Sequence, residues 1–133
     1  MSTPRGNPSL RRQQRALNTF LRRLLKAYPR EVQGVLLYDS LARGLVGSGG
    51  AVTFLVISQS KELLSTALQE MCEEVDKGTH FSTMLVPLVL RPREVREGLA
   101  AGDPFLVGVF SRGKVLYDDG TLASLRLALS RPE

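Results

Sequence analysis

Two short runs constrain the fold more than anything else in the chain: VQGVLLY at residues 32–38 and AVTFLVI at residues 51–57. Both are of strand length, rich in branched residues and bounded by turn-forming residues. Both are also too uniformly apolar to keep one side in water, so they read as strands buried on both faces. A sheet buried on both faces needs helices to cover it.

The flanking sequence supplies those helices. Leu10, Leu17, Phe20, Leu21, Leu24, Leu25 and Tyr28 recur at helical spacing, with Asn7 placed to cap the helix, Pro8 suited to its first turn and Pro29 to stop it. A helix over about residues 8–28 is expected. Leu63, Leu64, Ala67, Leu68, Met71, Cys72 and Val75 mark a second long helix over about 60–77. FSTMLVPLVL, residues 81–90, reads as a third strand, and Pro87 within it argues for an edge position or a bulge. A short helix then opens at Pro92 and closes at Gly102. Another is capped by Asp103, carries Pro104 in its first turn and stops at Gly113. KVLY, residues 114–117, is a short strand or extended segment, and DDG turns the chain into a last helix over about 121–130. No internal repeat or linker interrupts this order, so one mixed α/β domain spanning residues 1–133 is expected, with strands at 32–38, 51–57 and 82–90 forming the sheet.

Charge is concentrated at the front. Residues 1–30 hold eight Lys or Arg and no acid, whereas the other 103 residues carry ten basic and thirteen acidic groups, so the net charge of +5 arises entirely from the first segment. At about 100° per residue, Arg11, Arg12, Arg15, Arg22, Arg23 and Lys26 fall within roughly a 120° arc opposite the apolar stripe. Helices that merely face solvent commonly interleave acids in i,i+4 pairs, and this one does not. The face is either solvated, a nucleic-acid surface, or a surface for an acidic partner.

Several chemistries are excluded. One cysteine, Cys72, and one histidine, His80, rule out a disulfide framework and an ordinary Cys/His zinc site. Cys72 lies in a helical apolar stripe and reads as a packed core thiol; His80, with no acid or Cys beside it in sequence, reads as structural. No apolar run reaches the length of a membrane span, and the basic–apolar alternation of the first 28 residues is unlike a secretory leader, so a cytoplasmic location is expected. GLVGSGG, residues 44–50, lacks the Lys-Ser/Thr of a P-loop and leads from helix to strand, so it reads as a connector. Ser40 has no partner placed to activate it as a nucleophile.

Between the first two strands stands SLARG, in which Ser40, Ala42, Arg43 and Gly44 occur at characteristic spacing before the second strand. This arrangement resembles the nucleotidyltransferase superfamily, the DNA polymerase beta-like fold, and within it the small minimal nucleotidyltransferase domains. The resemblance extends loosely to PLVLRPREV and DPFLVGVFSRGKVLYDD and covers about residues 10–120. It implies a small mixed sheet flanked by helices.

The same resemblance makes the differences informative. Active members carry an Asp-x-Asp pair on the second strand and a third acid on a following strand, which hold divalent ions against a nucleotide triphosphate. Here the pair is Ala51 and Thr53, and the third strand contains no acid. The glycine expected before Ser40 is Asp39, which places a negative charge where backbone N–H groups would approach phosphate. Asp39 could pair with Arg43 instead, and Asp118 and Asp119 read as turn residues. Asp39, Ser40, Arg43, Gly44, Ala51 and Thr53 thus form a degenerate nucleotide site with no catalytic residue or metal ligand. The expected protein is a non-catalytic binding or regulatory module that uses no cofactor, with magnesium needed only if unorthodox ligands keep it an active transferase. Minimal nucleotidyltransferases of bacterial and archaeal toxin–antitoxin pairs act beside HEPN-domain toxins, so the resemblance implies a HEPN-type protein partner. Nucleic-acid binding through the basic helix is the alternative.

Overall fold

A computed structural model of the chain describes residues 8–38, 41–45 and 50–130, apart from the side chains of Leu41 and Ser130. Among them, helices α1 (Pro8–Ala27), α2 (Lys61–Gly78), α3 (Pro92–Ala100), α4 (Pro104–Arg112) and α5 (Thr121–Ser130) surround strands β1 (Gly34–Tyr38), β2 (Ala51–Ile57), β3 (Met84–Leu90) and β4 (Lys114–Asp118). A single 3-10 turn, Leu41–Arg43, sits between β1 and β2. The sheet runs β3-β2-β1-β4, with β1 antiparallel to both β2 and β4, and β2 parallel to β3.

Alternation along the central strands divides the core between two layers. Val35 and Leu37 of β1 and Val52, Phe54 and Val56 of β2 meet Leu17, Phe20 and Leu24 of α1 and Leu64, Leu68 and Cys72 of α2. The Phe20 and Phe54 rings lie 4.9 Å apart in this layer. Leu36 of β1 with Leu55 and Ile57 of β2 point the other way, toward Val95, Leu99, Leu106, Phe110, Leu122 and Leu125 of α3, α4 and α5. The near-continuous apolar runs that mark β1 and β2 in the sequence follow from this burial on both faces.

Three details differ from expectation. The first strand starts at Gly34, because Val32 N–H donates to Tyr28 O in a turn that closes α1. The third starts at Met84, because the backbone N–H groups of His80, Phe81 and Ser82 are spent on the C-terminal turn of α2, donating to Lys77 O, Asp76 O and Thr79 O. The sheet has a fourth strand, since residues 114–118 pair along the free side of β1 with a register shift between Val35 and Leu36.

Edge strand β3 carries Pro87, as its sequence suggested. Ser58 N–H donates to Leu90 O, so by parity residues 84, 86, 88 and 90 turn their backbone groups toward β2, while 85, 87 and 89 turn outward. The Leu85 N–H is taken by the carboxylate of Asp76 at 3.2 and 3.3 Å, and Pro87 has no N–H to offer. Two of the three outward positions therefore have no donor free for another strand, a common protection of sheet edges.

Candidate functional site

The β-ladders place the degenerate positions. Ala51 and Thr53 lie two residues apart and point to the same side of the sheet as Leu55. Residues paired across a ladder share a face, so Met84 lies beside Ala51, Val86 beside Thr53 and Leu88 beside Leu55, while Tyr38 lies on the far side of Thr53. Where the sequence pattern would put metal-binding carboxylates, the structure presents a row of Tyr38, Thr53 and Val86, flanked by Ala51 and Met84. Met84 is 51 % exposed, Val86 38 % and Leu88 36 %.

These groups do not fit a divalent-ion pair. Magnesium requires hard oxygen ligands, usually including a carboxylate. The row offers only the neutral hydroxyls of Tyr38 and Thr53 and no carboxylate, and Thr53 Oγ1 donates to Tyr38 O at 3.2 Å. Among the described residues, no three of His, Cys, Asp and Glu gather at any point. Asp118 and Asp119 are committed elsewhere. Asp118 accepts from the N–H groups of Gly120, Leu122 and Ala123, and Asp119 from the N–H and hydroxyl of Thr121, so together they cap α5.

Beside this row a cavity of about 420 Å³ is lined by Tyr38, Arg43, Phe105, Val109, Arg112 and Gly113, with Pro104 and Gly108. The Tyr38 and Phe105 rings meet edge to face at 5.3 Å. Arg43 reaches it from the 3-10 turn, and Gly44, which follows with φ of 75°, lets the chain leave that turn in the left-handed region. Asp39 and Ser40 lie outside the described residues, as does most of the connector after Gly44. Gly50 is described, and its φ of 79° and its close approach to the Ser82 backbone leave no room for a side chain where β2 starts beside β3.

Across the sheet lies a second feature. Arg11, Arg12, Arg15, Arg22, Arg23 and Lys26 are all exposed on α1. Four of them, Arg11, Arg12, Arg15 and Arg23, line a groove of about 650 Å³ between α1 and the C-terminal end of α2. His80 lines it too. It is exposed, on the turn between α2 and β3. Sequence reasoning missed this placement because nothing local shows that the turn after α2 folds back toward α1. Cys72, by contrast, is buried, and burial pushes its thiol up to about 12, so it stays protonated and unreactive.

No family model and no curated protein sequence matches this chain. Solved structures do. The fold is shared with a chain of the toxin–antitoxin MntA-HpeT mutant, at a TM-score of 0.55 and 15 % identity over 84 % of this chain and 79 % of that one. It is shared also with a chain of a toxin–antitoxin solved with AMP-PNP, at a TM-score of 0.51 and 17 % identity over the same shares. A tri-AMPylated Shewanella oneidensis HEPN toxin in complex with MNT antitoxin aligns at a TM-score of 0.49 and 19 % identity, over 89 % of this chain and 84 % of that one. The fold is thus a nucleotidyltransferase-like one, a mixed sheet flanked by helices shared with chains of these toxin–antitoxin structures.

Proposed function

We propose that this protein is a non-catalytic, antitoxin-like module that holds a partner protein on the sheet face where the fold would otherwise carry metal-binding acids. The observation that carries the reading is the content of that face. Ala51, Thr53, Met84, Val86 and Leu88 make a contiguous, largely apolar strip, with three large side chains in water beside the positions where catalysis would need charge. A contiguous apolar patch on a small protein marks an interaction surface, and such patches form the desolvated centre of interfaces. Because two of the three outward donors of β3 are occupied or missing, the partner meets side chains on the face rather than adding a strand to the edge. A HEPN-type helical protein is the partner to test first, since the solved structures of like fold come from toxin–antitoxin pairs.

The test is co-expression with the product of a neighbouring gene that encodes a HEPN-type protein, followed by size-exclusion chromatography. Co-elution of the wild type, lost in Val86→Glu and in Met84→Lys while both variants keep wild-type circular dichroism, is the expected result. A parallel assay mixes the protein with radiolabelled ATP and magnesium or manganese. Label transfer that disappears in Asp39→Asn would refute the non-catalytic reading in favour of an enzyme with unorthodox ligands. A complex unaffected by both face substitutions would remove the assigned surface.

A further inference from the structure

The apolar strip leaves the opposite side of the molecule unexplained. There α1 and α2 border the arginine-lined groove, whose lining includes a single acid, Glu74. Arg11 to Arg23 spans twelve residues, about 18 Å along the helix axis at 1.5 Å per residue. Over that length guanidinium groups are brought together with nothing on α1 to neutralise them, since α1 contains no acid. The Arg23 contact to Glu74 is 3.4 Å, with both side chains more than half exposed, and pairs of that kind contribute little.

The end wall of the groove is built at a cost. His80 has φ of 55° and Phe81 φ of 60°, two successive side-chain-bearing residues in the left-handed region, each a departure on the order of 1–2 kcal/mol. The turn is held by hydrogen bonds from both backbone and side chains. Phe81 N–H donates to Asp76 O at 2.8 Å, Thr79 Oγ1 to Asp76 O at 2.9 Å, and Ser82 Oγ to Thr79 O at 2.7 Å. This fixed turn places His80 against the groove with Thr79.

From these observations we infer that the α1–α2 groove binds the phosphodiester backbone of nucleic acid, without reading its sequence. Arginine is the side chain whose planar fork matches phosphate oxygens two at a time, and four of them follow one helix as a backbone would require. A protein partner is the weaker candidate here, because the centre of a protein interface is apolar and this groove has no exposed apolar anchor: Ala16 and Val75 are buried, and the rest of its lining is polar, glycine or Pro8. Base readout is equally unsupported. No Phe, Tyr or Trp lines the groove to stack a base, so it contacts the backbone of a duplex at least as well as that of a single strand.

Fluorescence anisotropy with a labelled 20-base-pair duplex, in two unrelated sequences, tests this. Four phosphate contacts give a slope of log affinity against log salt of about −3 to −4, or roughly a hundredfold weakening between 50 and 200 mM NaCl. The two sequences bind alike. Arg11→Ala with Arg15→Ala cuts the slope by about half, whereas Glu74→Gln, which removes the one acid in the groove, tightens binding. Val86→Glu, on the other face, leaves duplex binding unchanged, so failure here and failure of the partner-binding reading are separable. No binding at 50 mM NaCl, or binding whose slope survives the double arginine substitution and ignores Glu74→Gln, would overturn the assignment.

Discussion

Asp76 offers the most demanding test of how the turn after α2 is held. Its carboxylate is buried, accepting the Thr83 hydroxyl at 3.0 Å and the Leu85 N–H at 3.2 and 3.3 Å. In Asp76→Ala the Thr83 hydroxyl can still pair with Thr79 Oγ1, 2.9 Å away. The Leu85 N–H loses its acceptor, and a buried unpaired donor costs about 1–3 kcal/mol. A loss of about 2 kcal/mol is expected, which lowers the urea midpoint by about 1 M for a slope near 2 kcal/mol/M. Asp76→Asn keeps an oxygen facing both donors and removes the charge, so it should cost under about 1 kcal/mol. The pH dependence has a definite sign. Burial raises the Asp76 pKa against the opposing hydrogen bonds from Leu85 and Thr83, so the folded state holds its proton more tightly than the unfolded state. The stability this group contributes is therefore complete below its unfolded pKa and lost as pH rises through the folded value. The wild type should lose ground to Asp76→Asn as pH rises from about 4, the unfolded carboxylate range, through the raised folded value. If Asp76→Ala unfolds within about 0.5 kcal/mol of wild type, the carboxylate is not an anchor. If Asp76→Asn at pH 7 is as unstable as Asp76→Ala, the charge itself is required and the burial argument fails.

Three further outcomes follow. Glu94 accepts from the Arg91 N–H at 2.8 Å and from Lys61 Nζ at 3.0 Å, and these contacts hold its carboxyl below the usual carboxylate range; Glu94→Ala should cost about 0.5–1 kcal/mol for a partly exposed cap, a deficit present at neutral pH and shrinking as acid protonates the wild-type group, as chemical unfolding at pH 7 and in progressively more acid buffers would show. Gly50→Ala meets both a positive φ and the Ser82 backbone, and should lower thermal stability by roughly 2 kcal/mol or more in differential scanning fluorimetry. Ala51→Asp with Thr53→Asp should destabilise the fold by about 1–3 kcal/mol through charge repulsion and partial burial, and should leave ATP transfer undetectable by radiolabel.

Most of the fold could be read from the sequence because its rules are local. The apolar runs of β1 and β2, the stripe of α2, Pro92 and Pro104 at helix starts and Asp103 as a cap are each decided within a few residues; in the structure Asp103 Oδ1 does accept the Phe105 N–H. What could not be read depends on distant chain. KVLY joins the sheet only because β1 has a free edge on that side. Residues 81–83 carry strand-like side chains, yet their backbone groups complete the end of α2, a competition settled by Asp76, whose role no nearby pattern reveals. The groove was half legible. Helical periodicity gathers six basic residues on one face of α1, but it cannot show that α2 supplies the opposite wall or that His80 closes the end.

The absence of acids at Ala51 and Thr53 and the apolar face beside them belong together physically. Two carboxylates on neighbouring same-face positions of a strand, with a third beside them, are tolerable when divalent ions offset their charge. Without the ions they repel one another in a half-buried setting, where an unpaired charge is costly. Small or neutral groups at such positions, as Ala51 and Thr53 are here, avoid that repulsion. Thr53 goes one step further, since its hydroxyl bonds Tyr38 O and ties β2 to the end of β1. The side effect is a wider apolar surface than a metal site would present. That surface stays out of aggregation only if something covers it or if the adjoining edge resists pairing, and the edge does resist through Pro87 and the Asp76 bond to Leu85. The protection addresses strand addition alone. It leaves Met84, Val86 and Leu88 in water, where side chains packing on the face itself, as those of the proposed partner would, relieve the remaining apolar exposure.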